Sequence, residues 1–320
     1  MASGFRGLFP YEGFDDANGP QQCVPAKGIR FVAYRNVLAN PVFESANPHC
    51  VAVRDVTPTG SIGPDTRILE LTGGVTGTTK IHVSSSGCIR ETLWAYCLPR
   101  RKMTLACHLV SDGGGHSTAR TAASLATLSD EINRVYLPQA NVEFVGLPVT
   151  NIQVKRDLGN TVTFATQGQP ADICQGASGP GGEMLDSLIP GAGPGDVHLY
   201  FVWEMDGYSD TPGALDGYTA PTTRHCMIRD NTGAFPLWFV AAHEIGHALG
   251  MAHTSRMRSW LNTIHCPVMP KGDPCEGGHA PSCKHWAELS RHLMMHGNNT
   301  NSPFIAPQAA MEINARLMGH

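Results

Sequence analysis

The chain lacks any apolar run approaching about 18 residues, so no helix of this sequence is expected to cross a membrane. Basic residues are scarce, with 23 Lys+Arg against 27 Asp+Glu and a net charge of −4. They form no long cluster, which argues against a nucleic-acid partner. The start, Met1-Ala2-Ser3-Gly4-Phe5-Arg6-Gly7-Leu8, lacks the charged segment and apolar run of a secretory signal. None of the ten cysteines forms a C-x-x-C pair, so a thiolate zinc site is not expected. Their even number favours disulfides and therefore an oxidising, exported destination. Export would then need a leader outside this sequence or a route that uses none.

What is present is a dense stretch of metal-type ligands, His243-Glu244-Ile245-Gly246-His247-Ala248-Leu249-Gly250-Met251-Ala252-His253. On a helix, residues four apart share a face, so His243 and His247 can point two imidazoles at one ion. Glu244 can reach a water held by that ion. Gly250 marks the helix end, because the residue just past a helix usually needs positive φ. His253 can then supply a third nitrogen. Three protein ligands with one open position suit a catalytic Zn²⁺ better than a structural one. Leu237, Val240, Ala241, Ile245, Ala248 and Leu249 give the same helix its apolar face.

This H-E-x-x-H-x-x-G-x-x-H stretch resembles the signature of the metzincin zinc peptidases, which also carry a methionine turn downstream. Two methionines qualify, Met269 and Met294, and Met294 is preferred. Its sequel, a polar loop and then Phe304 to Ala310 with Pro307 in the first turn of a final helix, resembles pappalysin-like and reprolysin-like bacterial members. The resemblance implies an α+β catalytic domain over residues 101–320, with a twisted mixed sheet, the zinc helix and a C-terminal helix. It further implies Met294 beneath the ligands. His296, where some members have a tyrosine, becomes a possible stabiliser of the transition state. A strand near Thr222–Arg229 is expected to lie at or beside the sheet edge that pairs with extended substrate.

Ahead of that domain, residues 1–27 read as an irregular arm. Residues 28–100 carry short strand-like runs at 29–34, 50–53, 67–71, 80–83 and 92–96, which suggest a small all-β sandwich. Leu71 to Ile81 resembles the bacterial immunoglobulin-like repeats found beside secreted enzymes. An inhibitory prosegment, with Cys23 or Cys50 reaching the metal, is the alternative. Beyond residue 100 the patterns predict a strand at 103–110, a helix within 117–137, strands at 141–145, 197–203 and 222–229, and long loops over 150–195. His108 and His116 are read as structural or solvated, His225 as a rim residue, and His265, His279, His285 and His292 as surface groups. The expected activity is zinc-dependent hydrolysis of peptide bonds in a protein or peptide substrate, with Glu244 as general base. The alternatives are an exported zinc hydrolase acting on a non-protein bond, or a secreted binding module.

Overall fold

The computed structural model of the chain describes residues 4–7, 21–35, 38, 40–58, 66–163, 193–206, 216–220, 224–233 and 235–251. The described residues fall into two compact units, those up to Arg101 together with Val135–Val142, and those of Lys102–Arg134 together with 143–251.

The first unit is mostly β. Its strands are β1 (Gly4–Gly7), β2 (Gln21–Pro25), β3 (Ile29–Arg35), β4 (Val42–Ser45), β5 (Val51–Asp55), β6 (Thr66–Gly73), β7 (Gly77–Ser85) and β8 (Cys88–Leu98). They make two four-stranded sheets, ordered β1-β3-β6-β5 and β2-β8-β7-β4. Alternation explains why these runs are strands. Leu69 and Leu71 on β6, Ile81 and Val83 on β7, and Leu93, Ala95 and Cys97 on β8 are all buried, two residues apart. Both sheets contribute to one buried cluster, in which Phe5, Val24, Tyr34 and Val51 also sit. Burying a leucine fully contributes roughly 1.5–3 kcal/mol. The β7–β8 hairpin closes on Ser86 (φ 53) and Gly87 (φ 78), the two positive φ values that a two-residue turn of matching twist requires.

The stretch 1–27 is not wholly irregular. β1 pairs with β3 antiparallel, and β2 pairs with β8 in parallel. Both strands are short and lie at sheet ends. Gln21-Gln22-Cys23-Val24-Pro25 has no alternation to betray it, since Gln22, Cys23 and Val24 are all buried.

Helix α1 (Leu128–Ala140) buries Leu128, Ile132, Val135, Tyr136 and Ala140, a stripe at helical spacing. It starts later than the sequence pattern suggests, after a single 3-10 turn at Ala123–Leu125. Residues before that turn are committed elsewhere. Thr118 Oγ1 and the Ala119 N–H both donate to the Asp230 carboxylate at 2.5 Å, and Arg120 reaches the Asp230 carbonyl. Asn141 (φ 53) ends α1 in the left-handed region that asparagine tolerates.

The second unit holds a mixed sheet of β9 (Arg101–Ser111), β10 (Val142–Gly146), β11 (Thr150–Gln153), β13 (Val197–Val202), β15 (Gly217–Ala220) and β16 (His225–Arg229). Its order is β10-β9-β13-β16-β15, with β11 also paired to β9. β12 (Val162–Thr163) and β14 (Met205–Asp206) form a separate parallel pair. β9, β13 and β16 run parallel, and β15 turns back antiparallel to β16. Every residue of β13 and β16 is buried, as in strands covered on both faces. Strands β11, β12, β14 and β15 were not anticipated from the sequence, being short, polar or glycine-bearing.

Candidate metal centre

Helix α2 (Leu237–Ala248) leaves an extended Pro236 and packs on β15 and β16. Phe239, Val240, Ala241, Ala242, Ile245, Gly246 and Ala248 are buried. The small residues among them let the helix backbone come close to the sheet. His243 and His247 are half-buried and sit one turn apart, with ring centroids 4.9 Å apart and planes at 81°.

The helix ends where the glycine predicts. Gly250 has φ 87, the Gly250 N–H donates to the His247 carbonyl at 2.8 Å, and the Met251 N–H donates to the Gly246 carbonyl at 2.9 Å. That pair of bonds is the Schellman closure of a helix C-terminus. It also brings the Met251 carbonyl to 2.8 Å from His247 Nδ1. A carbonyl only accepts, so Nδ1 carries the proton and Nε2 carries the lone pair. Metal-ligating histidines are commonly oriented this way.

Glu244 is buried and lies against β15, the last strand of the sheet among the described residues. Thr219 Oγ1 is 2.6 Å from Glu244 Oε2 and 2.9 Å from the Glu244 carbonyl. A Cβ placed on Gly217 would stand 2.6 Å from Glu244 Cγ and 2.8–2.9 Å from its carboxylate atoms, so only glycine lets the side chain lie there. Burial raises the Glu244 pKa; nearby His247 and the Thr219 hydrogen bond pull it down, and Asp216 pushes it up. Asp216 is itself held by Arg229, whose Nε and Nη2 donate to Asp216 Oδ1 at 2.9 and 2.5 Å. Arg229 Nη1 also donates to Glu204 at 2.9 Å. Thus β16 clamps the start of β15. Sequence reading missed Thr219, Gly217 and this clamp. The one available signal was the alternation of Tyr218 and Ala220 around Thr219, and Pro221 masks it.

Two imidazoles on one helix face, one with its ring nitrogen already fixed by a carbonyl, beside a carboxylate, are a donor set that fits Zn²⁺. His253, Met294, Met269 and His296 lie outside the described residues, as does the whole stretch 252–320.

The other histidines differ in their surroundings. His225 is not on a rim: it is 7% exposed, its Nδ1 is 2.8 Å from Tyr200 Oη, and its ring stacks on His198 at 4.5 Å. His108 is likewise buried and structural, 3.0 Å from His198 and 2.7 Å from Thr150 Oγ1. These groups share one sheet face, because His198 pairs with His225 and Tyr200 with His108. Cys226, one residue on, faces Thr219 and α2 instead. Asp112, His116 and Asp157 bring donor atoms within 4.8 Å of one another. Asp112 already accepts from the Gly114, His116 and Leu158 amides and from His116 Nδ1, so this group closes its own loop. Cys23, Cys50, Cys88, Cys97, Cys107 and Cys226 are thiols in this structure. Cys174, Cys266, Cys275 and Cys283 lie outside the described residues.

No curated protein matches the chain. Among solved structures, archaemetzincin from Archaeoglobus fulgidus, complexed with malonate, is 14% identical over 48% of this chain and 82% of its own, with a TM-score of 0.29. Domains 4 and 5 of the S-layer protein SbsC are 13% identical over 23% of this chain, with a TM-score of 0.20, and the match spans 45% of that structure. The Yersinia pseudotuberculosis adhesin InvE is 15% identical over 27% of this chain and 28% of its own, with a TM-score of 0.20. The family model of the matrixins matches residues 161–271, a stretch that contains α2 and His253. In those residues, with His243, Glu244 and His247 near their end, the chain resembles the matrixins, a metzincin family of zinc metallopeptidases.

Proposed function

We propose that the chain is a zinc-dependent endopeptidase whose metal is held by His243, His247 and His253. The observation that carries the reading is the placement of two half-exposed imidazoles and a buried carboxylate on one helix, against an antiparallel edge strand. When bound, zinc supplies Lewis-acid polarisation of the scissile carbonyl and a water of lowered pKa. Glu244 acts as general base, taking a proton from the attacking water and returning it to the leaving amine. Thr219 fixes one carboxylate oxygen, so the other is aimed. Among the described residues β15 is paired on one side only, by β16. Its outer edge offers main-chain donors and acceptors to an extended peptide, which binds by strand addition.

Within this reading residues 101–320 form the catalytic domain, and residues 28–100 are an immunoglobulin-like β module that precedes it in an exported protein. Burial of Cys23 (4% exposed) and Cys50 (1%) in the first unit favours the module over a prosegment that offers a thiol to the metal. Met294 is the proposed floor of the site and His296 a proposed donor to the developing oxyanion.

The test is incubation of the purified chain with casein and with a peptide library, with and without chelator, and product identification by mass spectrometry. Peptide-bond cleavage that a chelator abolishes and zinc restores supports the proposal; no cleavage from zinc-loaded protein refutes it. Elemental analysis after dialysis should find about one zinc per chain. Zinc-free protein with α2 intact would remove the ligand assignment.

The two methionines are told apart by truncation. Met294→Ala beneath a metal should cost roughly 2–5 kcal/mol and loosen zinc, whereas Met269→Ala on a surface segment should cost under about 0.5 kcal/mol. Side-by-side thermal unfolding and zinc retention read the difference. The matched matrixin stretch takes in Met269 and ends before Met294. The reverse outcome therefore moves the floor to Met269 and removes the role given to His296.

A further inference from the structure

We propose that Cys50 and Cys97 are a disulfide-forming pair that ties the two sheets of the first unit together. Cys50 stands immediately before β5 in one sheet, and Cys97 lies next to the end of β8 in the other. Their backbones converge on the link between β6 and β7. The Gly74 N–H donates to the Cys50 carbonyl at 2.8 Å, and the Cys97 thiol points at the Gly74 carbonyl at 3.7 Å. Gly77 pairs directly with Cys97, and a Cβ on Gly77 would stand 3.6 Å from Cys50 Sγ. Both side chains belong to one buried cluster, at 1% and 0% exposure.

The other described cysteines of this unit are excluded by register. Cys23 pairs with Tyr96, while Val24 pairs with Cys97, so Cys23 points to the opposite face of its sheet. Cys88 is exposed at the far end of β8.

The step is thiol–disulfide exchange. One cysteine thiolate attacks a small-molecule disulfide such as oxidised glutathione and forms a mixed disulfide, releasing one reduced thiol. The second thiolate then displaces the other thiol and closes the Sγ–Sγ bond. Two electrons pass to the oxidant, whose two sulfurs leave as thiols with the two protons. Burial raises the Cys50 thiol and pushes Cys97 up to about 11, with the neighbouring Cys50 adding to the shift at Cys97. Thiolate is therefore scarce once the sheets have closed. The bond forms while the unit is still assembling, and afterwards the same burial shelters it from reductants.

The experiment refolds the full chain from denaturant in mixed reduced and oxidised glutathione. Remaining thiols are blocked with iodoacetamide in urea, and the chain is digested without reduction. Mass spectrometry should find the Cys50 and Cys97 peptides joined. Finding both alkylated, or either joined to another cysteine, overturns the pair. This mapping needs no variant. In addition, dithiothreitol should lower the thermal midpoint of the oxidised wild type by at least about 10 °C more than that of Cys50→Ala/Cys97→Ala. An equal shift in both proteins overturns the proposed tie.

Discussion

Glu244→Gln is expected to keep its zinc and its fold and to lose at least about a hundredfold in kcat/KM for peptide hydrolysis. The carboxamide has the volume of the carboxylate and still offers an oxygen to Thr219 Oγ1, which now stands 2.6 Å from Oε2. What it lacks is a basic oxygen. Stability should hold or rise slightly, because burial disfavours the charged carboxylate and the amide is neutral. The set of readings is decisive together: kcat/KM on a peptide substrate, zinc per chain and thermal midpoint. Lost activity with retained zinc and midpoint assigns the proton transfer to Glu244. Near-normal turnover shows that another group takes the proton. Lost zinc shows that the substitution disturbs the ligands rather than the base.

Acidification is expected to unfold the second unit well before carboxylates alone would. His108, His198 and His225 stack beside Tyr200 on one sheet face, and hydrogen bonds set the protons of His198 and His108. His198 Nε2 donates to the Gly195 carbonyl at 3.1 Å, so its Nδ1 accepts from His108 Nε2 at 3.0 Å. His108 Nδ1 then accepts from Thr150 Oγ1 at 2.7 Å. A further proton on His198 Nδ1 sets two N–H donors, its own and that of His108 Nε2, against each other. Burial accordingly depresses His108 and His225 to about 4, helped by the neighbouring imidazoles, and lowers His198, where Gly195 and Asp196 oppose the shift.

The sign follows from linkage. Between the unfolded value near 6.5 and the folded value near 4, the unfolded chain holds more protons, so stability rises with pH and is lost on acidification through that window. Each such histidine removes on the order of 1 kcal/mol per pH unit there. Urea unfolding of chelator-treated protein at several values between pH 7 and 4.5 measures this without competition at the metal ligands. His225→Gln should flatten the slope. A flat profile in the wild type, or an unchanged slope in the variant, would end the idea.

The legibility of this chain in its sequence follows the range of the interactions. Helix α2 was readable to its last turn, because its histidine spacing, its apolar face and Gly250 are all local signals. β3 and β5 to β10 were readable because alternation or apolar runs are local too. His225 was misread as a rim residue because its burial comes from Tyr200 and His198, which sit 25 or more positions away and meet it only through strand register. β15 escaped for the same reason. A four-residue strand containing Gly217 declares itself only against β16 and Glu244. β2 is a strand because β8 lies beside it, not because of its own composition.

The carbonyl that orients His247 belongs to the main chain, and this makes that one contact independent of side-chain identity. Where a side chain orients a metal ligand, many single substitutions can delete it. Here no change at Met251 removes the carbonyl oxygen, since every amino acid brings the same one. The weak point is displaced to Gly250, whose φ of 87 turns that carbonyl back on the imidazole. Substitution at Gly250 therefore reaches the imidazole through the backbone, while substitution at the buried Met251 acts through packing and leaves that hydrogen bond its acceptor.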